Sequence, residues 1–228
     1  MGRAQAEVVG VALLLAVAVV GMGTFAATTG VVLDAGAADA DLARATDAFA
    51  ALDPPSVRGT RTVELTAAGG RLHVASRDLR VLEGDATVAH RRVDALVFER
   101  DGRRVTLLDG AVVADGSFAR DPPVTAAGER TLLVGAVVVA RGPAYSPGGG
   151  RARLRATVTH ERRRLGTGEF AVAVETRTPG PWRRHFREQG AVVDRRDVDG
   201  DGLPSVVARF ENRTAYLFTH RAEVRVDA

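Results

Sequence analysis

Two kinds of hydrophobic patterning divide the chain. Val8 to Leu33 is a run of 26 residues without a charge. As a continuous helix it would span about 39 Å, more than a hydrocarbon core of about 30 Å. A soluble helix of that length would not be apolar on every face. From Asp34 to Asp53 the apolar positions Leu42, Ala45, Phe49 and Leu52 recur every three or four residues. That period predicts an amphipathic helix with one buried stripe, stopped by Pro54-Pro55. Beyond Ser56 the period falls to two, the mark of strands.

Thr60–Thr66 and Arg71–Ser76 alternate and flank the turn candidate Ala67-Ala68-Gly69-Gly70. Ala95–Arg100 and Arg103–Leu108 flank Asp101-Gly102, the strongest short hairpin signal in the chain. Arg130–Ala140 is the most hydrophobic segment and predicts a central strand. Arg153–Glu161, Glu169–Arg177, Val206–Phe210 and Arg213–Val226 predict four more, for roughly nine to eleven strands in all. Leu79–His90 is ambiguous. One later helix is predicted over Pro181–Gln189: proline suits its first turn, Gly190 its C-cap, and Trp182 and Phe186 share a docking face. Its opposite face carries Arg183, Arg184 and Arg187, a solvated face or, with Arg162-Arg163-Arg164, a basic contact patch. The predicted fold is therefore α+β: a long N-terminal transmembrane helix, then a predominantly antiparallel β domain, sandwich or curled sheet, with one short helix. The predicted segments are 1–33 (processing site and membrane helix), 34–55 (helical stalk) and 56–228 (β-rich head).

Composition narrows the chemistry. The absence of cysteine excludes disulfides, thiolate metal sites and cysteine nucleophiles. Every basic residue is arginine, which keeps the pI high although the formal charge is only +3. So small an excess does not argue for nucleic-acid binding. The five histidines are scattered, and no P-loop, G-x-S-x-G elbow or H-E-x-x-H run is present, so nothing supports an enzyme.

Two sites remain. Asp197, Asp199 and Asp201, with Gly200 and Gly202, match the first half of a calcium loop, where alternate carboxylates converge on one cation. The closing ligand position falls on Ala208, so an EF-hand proper is not expected. A looser structural Ca²⁺ site would need Glu211 or a backbone carbonyl, and the alternative is an Asp/Gly turn. Asn212-Arg213-Thr214 is an N-glycosylation sequon.

The residues ahead of the uncharged run carry a resemblance. Arg3-Ala4-Gln5-Ala6-Glu7-Val8-Val9-Gly10-Val11 resembles the processing site of archaeal type IV pilins and archaellins. The whole chain is similar to haloarchaeal pilin-like membrane proteins. The resemblance implies a prepilin peptidase cutting between Ala4 and Gln5, with the apolar helix retained. It further implies a single-pass protein of the cell membrane, N-terminus inside and head outside, in contact with lipid and with other pilin-like subunits through the helix. Its role would be structural or adhesive. The alternative is a lone membrane-anchored ectodomain acting as a binding or scaffolding module. A plain signal anchor without a cut, or a secretory signal cleaved near Ala35-Gly36-Ala37, also fits the residues.

Overall fold

The computed structural model describes residues 36–52, 59–66, 70–123, 125–126, 129–140 and 151–227. The chain divides into two compact units, Met1–Ala40 and Asp41–Ala228. Of the first, only residues 36–40 are described, and they are helical.

The described chain is mostly β, with two helices, which corrects the expected α+β class. Helix α1 is described over 36–51. It carries Asp39, Asp41, Arg44 and Asp47, so only one stripe of it is apolar. Among the described residues no helix is long and apolar enough to cross a membrane. The membrane helix expected over 8–33 lies outside the described residues, as do Arg3, Ala4 and Gln5.

In the second unit the apolar stripe of α1 forms a layer of the core. Leu42, Ala45, Ala48, Phe49 and Leu52 pack with Leu72, Leu96, Phe98, Val105, Leu107 and Val112. Those partners belong to a five-stranded sheet ordered β2 (Arg71–Ala75), β5 (Ala95–Arg100), β6 (Arg103–Leu108), β7 (Ala111–Ala114) and β8 (Ser117–Arg120). Its alternate residues Ala95, Val97, Leu108 and Ala111 face a second core with the other sheet. Both faces are buried along the inner parts of β5, β6 and β7, where Ala95–Phe98, Val105–Leu108 and Ala111–Val113 run without an exposed residue. Asp41, itself buried, ties α1 to the sheet: its carboxylate accepts from Arg44 at 2.6 Å and from Arg100 on β5.

Three two-residue turns join β5 to β8. Asp101-Gly102, Asp109-Gly110 and Asp115-Gly116 each hold both residues at positive φ (47–51° for the aspartates, 74–76° for the glycines). This is the type I′ geometry that matches strand twist.

The larger sheet runs β4 (Ala86–Arg92), β3 (Asp78–Glu83), β11 (Arg151–Glu175), β13 (Ser205–Asp227), β10 (Thr131–Ala140) and β9 (Thr125–Ala126). Strand β1 (Gly59–Thr66) pairs with the first part of β11, and β12 (Val192–Arg196) with the first part of β13. Three expectations change here. The expected strands 153–161 and 169–177 merge into one strand, β11, which ends at Glu175, and 206–210 with 213–226 merge into one strand, β13. These two pair along nearly their whole length, with irregularities at Arg164/Gly166 and Gly168/Phe170 that absorb the bend. Strands β1 and β2 are not a hairpin but belong to different sheets, for the chain passes Gly70 (φ 115°) tight against Phe98, where a Cβ would stand 2.7 Å from the ring. Within the predominantly antiparallel strands one pair is parallel: β13 inserts between β10 and β11, neighbours in sequence, and must run parallel to β10. The ambiguous 79–90 is the hairpin β3–β4.

Helix α2 (Pro179–Glu188) begins two residues before the predicted start. Pro181, Trp182, His185 and Phe186 are buried; Trp182 and Phe118 meet edge to face at 5.3 Å. Gly190 (φ 78°) donates to the Arg187 carbonyl and Ala191 to that of Phe186, a Schellman end that satisfies two orphan acceptors.

Candidate functional site

The acidic loop joins β12 to β13. The carboxylates of Asp197, Asp199 and Asp201 are exposed, and their ligating atoms lie within 4.8 Å of one another. Each already has a task. Asp197 accepts the backbone N–H of Gly200 and of Gly202, both at 2.8 Å. The Gly202 N–H, with that of Gly200, holds its carboxyl below the usual range. Asp201 accepts from Leu203 N–H at 2.8 Å. Asp199 accepts from the Arg80 guanidinium at 2.5 Å, and the same guanidinium reaches Asp78 at 2.8 Å.

Arg80 is buried and lies on β3, so a protein cation closes the loop onto the sheet. The donor set suits a hard divalent cation in kind. The expected closing ligands are elsewhere: Ala208 is buried within β13, and Glu211 is no member of the carboxylate group. A cation coordinated by Asp199 would have to share it with Arg80. The arrangement therefore orders a turn with its own N–H groups and one arginine.

Beneath the loop sits Glu175, almost fully buried at the end of β11. Burial, then the charges of Asp201 and Asp78, push its carboxyl up from 4.5 to about 6, against the pull of Arg77. It accepts the Asp78 N–H at 3.0 Å.

A cleft of about 500 Å³ opens elsewhere on this unit, at the bend of the long ribbon. Its walls come from the β3–β4 turn (Gly84, Asp85), from β11 (Glu169, Phe170, Ala171), from Val192 at the start of β12, and from β13 (Arg209, Phe210, Glu211). Phe170 and Phe210 are buried and form the apolar part of the lining. Val192 is 67% exposed, the one large hydrophobic side chain so exposed among the described residues. Asp85, Glu169 and Glu211 are exposed and have no ion-pair partner among the described residues. The cleft combines an apolar floor with three carboxylates against one arginine.

Asn212 follows directly. It is exposed, at φ 31°, where β13 leaves the ladder between Phe210 and Arg213. Its side chain stands on an outward bulge. The Thr214 hydroxyl is bonded to that of Thr167 at 2.9 Å, and the Arg213 guanidinium lies over the Phe210 ring at 5.5 Å.

The three aspartates are close in space because they are close in sequence, and reading the chain finds them. The cleft residues come from four separate segments, and no local motif marks them. Arg80, the partner of Asp199, lies 119 residues away in sequence and carries no local mark. The one local hint is Val192, an apolar residue following a helix C-cap at a strand start.

Compared with known proteins, residues 3–225 match the family described as "Family of unknown function (DUF7289)". No curated protein and no solved structure matches the chain.

Proposed function

We propose, for a chain that belongs to this family of unknown function, a structural or adhesive role at a cell surface: a pilin-like subunit whose β-rich unit is held at the membrane by the uncharged segment of residues 8–33. The observation that carries this reading is that segment itself, 26 residues without a charge, lying inside the region matched to the family rather than ahead of it. Burying such a run in lipid, or among like segments, is strongly favoured over exposing it to water. Arg3 and Ala4 before Gln5 add a site for a prepilin peptidase, which would leave Gln5 as the mature N-terminus.

The head supports display rather than turnover. Its buried carboxylates serve the architecture: Asp41 ties helix to sheet, and Asp109 ties sheet to sheet through the Val137 N–H at 2.7 Å. Of the loop carboxylates, Asp197 and Asp201 bond to the loop's own backbone and Asp199 to Arg80. A second reading, a lone anchored binding module, is favoured by the cleft around Val192.

Extraction and mass analysis test the proposal. The full chain should stay with membranes through alkaline carbonate and be released by detergent, and its mature form should begin at Gln5. Release of the whole chain by carbonate would overturn the anchored reading. Retention with an intact Met1 would remove the pilin-like reading and leave the binding module.

A further inference from the structure

We propose that the cleft at the ribbon bend receives the arginine face of helix α2 from a second copy of this chain. The inference rests on the structural role proposed above and gives it a contact between heads. Four observations lead to it.

First, the cleft pairs an apolar floor with an acidic rim. Phe170 lies at its base, Val192 stands 67% exposed at its edge, and Asp85, Glu169 and Glu211 have no ion-pair partner among the described residues. Such a lining fits a side chain with an aliphatic stem and a cationic end, which describes arginine. Second, three carboxylates stand against the single Arg209 in the lining, so the cleft carries a local negative excess that a cationic side chain would meet. Third, Arg183 and Arg187 project from the exposed face of α2, opposite Trp182 and Phe186, and have no ion-pair partner among the described residues. Arg184 between them donates to the Gly116 carbonyl at 2.9 Å, which steadies the face. Fourth, within one copy none of these guanidinium groups pairs with the cleft's carboxylates, although α2 leads directly into β12 and Val192. Two complementary surfaces left unsatisfied in one copy are satisfied by the next.

The contact is heterologous, since cleft and helix are different surfaces. Repeated without closure it builds a chain of heads, and with closure a ring. Tethering copies to one membrane would raise their effective concentration and make a weak contact count.

The test uses the full-length protein in a non-ionic detergent. Sedimentation should show self-association that falls between 0.1 M and 1 M salt, as the screening length drops from about 10 Å to about 3 Å. The surface variant Glu169→Arg/Glu211→Arg should weaken association roughly tenfold or more, and so should Arg183→Glu/Arg187→Glu. Mixing the two variants should restore it, because the unaltered cleft of one meets the unaltered helix of the other, as the reversed cleft meets the reversed helix. The cysteine-free background permits a direct check. Val192→Cys and Arg187→Cys proteins, mixed and oxidised, should yield the mixed disulfide in excess of either homodimer. Failure of the charge swap to restore association, together with absence of the mixed disulfide, overturns the proposal. So does a cleft that binds a free arginine-rich peptide while the chain stays monomeric. Association through the 8–33 segment would be insensitive to head charge. A negative result here thus leaves the membrane reading, tested by extraction, standing.

Discussion

In the five-stranded sheet, β5, β6, β7 and β8 follow one another through two-residue Asp-Gly turns, and each strand pairs with its neighbour in sequence. In the eight-stranded sheet, Thr131 pairs with Thr214 and Leu79 with Val174, partners brought together across most of the head. The β5–β8 meander is built from short loop closures, and the pairings of β3 with β11 and of β10 with β13 from long ones. Local pairings cost little entropy to form, whereas long-range pairings must first close large loops. The meander is thus the natural early structure, and the β11–β13 ribbon the natural late one.

The largest test of that contrast removes one fully buried ring from each sheet. Phe98→Ala on β5 and Phe170→Ala on β11 should each cost about 3–5 kcal/mol in denaturant unfolding. Their kinetics should differ: Phe98→Ala should mainly slow folding, and Phe170→Ala mainly speed unfolding. If both losses fall on the same limb of the chevron, the meander is not formed ahead of the ribbon.

The seam between the sheets gives the next effect. Asp109 is fully buried, its Oδ1 accepts the Val137 N–H at 2.7 Å, and its Oδ2 has no partner. Asp109→Ala should cost about 1–3 kcal/mol by orphaning that N–H, measured by thermal unfolding. Asp109→Asn keeps an acceptor oxygen and should cost less. Burial holds the Asp109 carboxyl well above its ordinary range. The native state then keeps a proton that the unfolded chain gives up, so stability falls as pH rises above the usual carboxylate range. The Asn variant should lose that part of the slope.

A turn glycine contributes less. Gly102, at φ 76° with open space around it, faces only a backbone penalty. Gly102→Ala should cost about 1 kcal/mol. Gly135 on β10 makes the opposite comparison, since its backbone is ordinary but a Cβ would lie 2.7 Å from Pro123. Gly135→Ala should exceed the Gly102 loss, at roughly 1–3 kcal/mol by overpacking the seam. Equal losses would mean that the seam yields.

The smallest expected effect lies at Glu175. Its carboxyl titrates at about 6 in the fold against 4.5 ordinarily, so the folded form holds the proton more tightly. Stability from this group is present at low pH and is lost as pH rises from 4.5 towards 6 and beyond. The loss should be on the order of 1 kcal/mol, since nearby solvent screens part of it. Glu175→Gln should flatten the thermal stability profile across that window. An unchanged slope would show that the charge of Asp201 above it is balanced elsewhere.

Much of the head could be read from neighbouring residues alone. The turn at Asp101-Gly102 follows from the steric need for positive φ at both positions, and the same signal at Asp109-Gly110 and Asp115-Gly116 marks the two turns after it. The α2 docking face follows from the four-residue spacing of Trp182 and Phe186, and its end from Gly190. The stripe of α1 follows from Leu42, Ala45, Phe49 and Leu52. The three aspartates of the β12–β13 loop sit together because five consecutive residues contain them all.

Nothing within such a window tells that β1 leaves β2 for another sheet, that 151–175 is one strand bent at Gly166 and Gly168, or that β13 enters between β10 and β11. Those outcomes depend on the free energy of pairing segments separated by long loops, and many registers satisfy the same alternation of apolar and polar residues. The cleft shares this origin. Asp85, Glu169, Val192 and Glu211 become one surface only because the ribbon bends and the β3–β4 turn lies beside it. Local sterics and periodicity act within a few residues and are written in the chain. Packing selects among distant partners, and it assembled the surface on which the proposed contact rests.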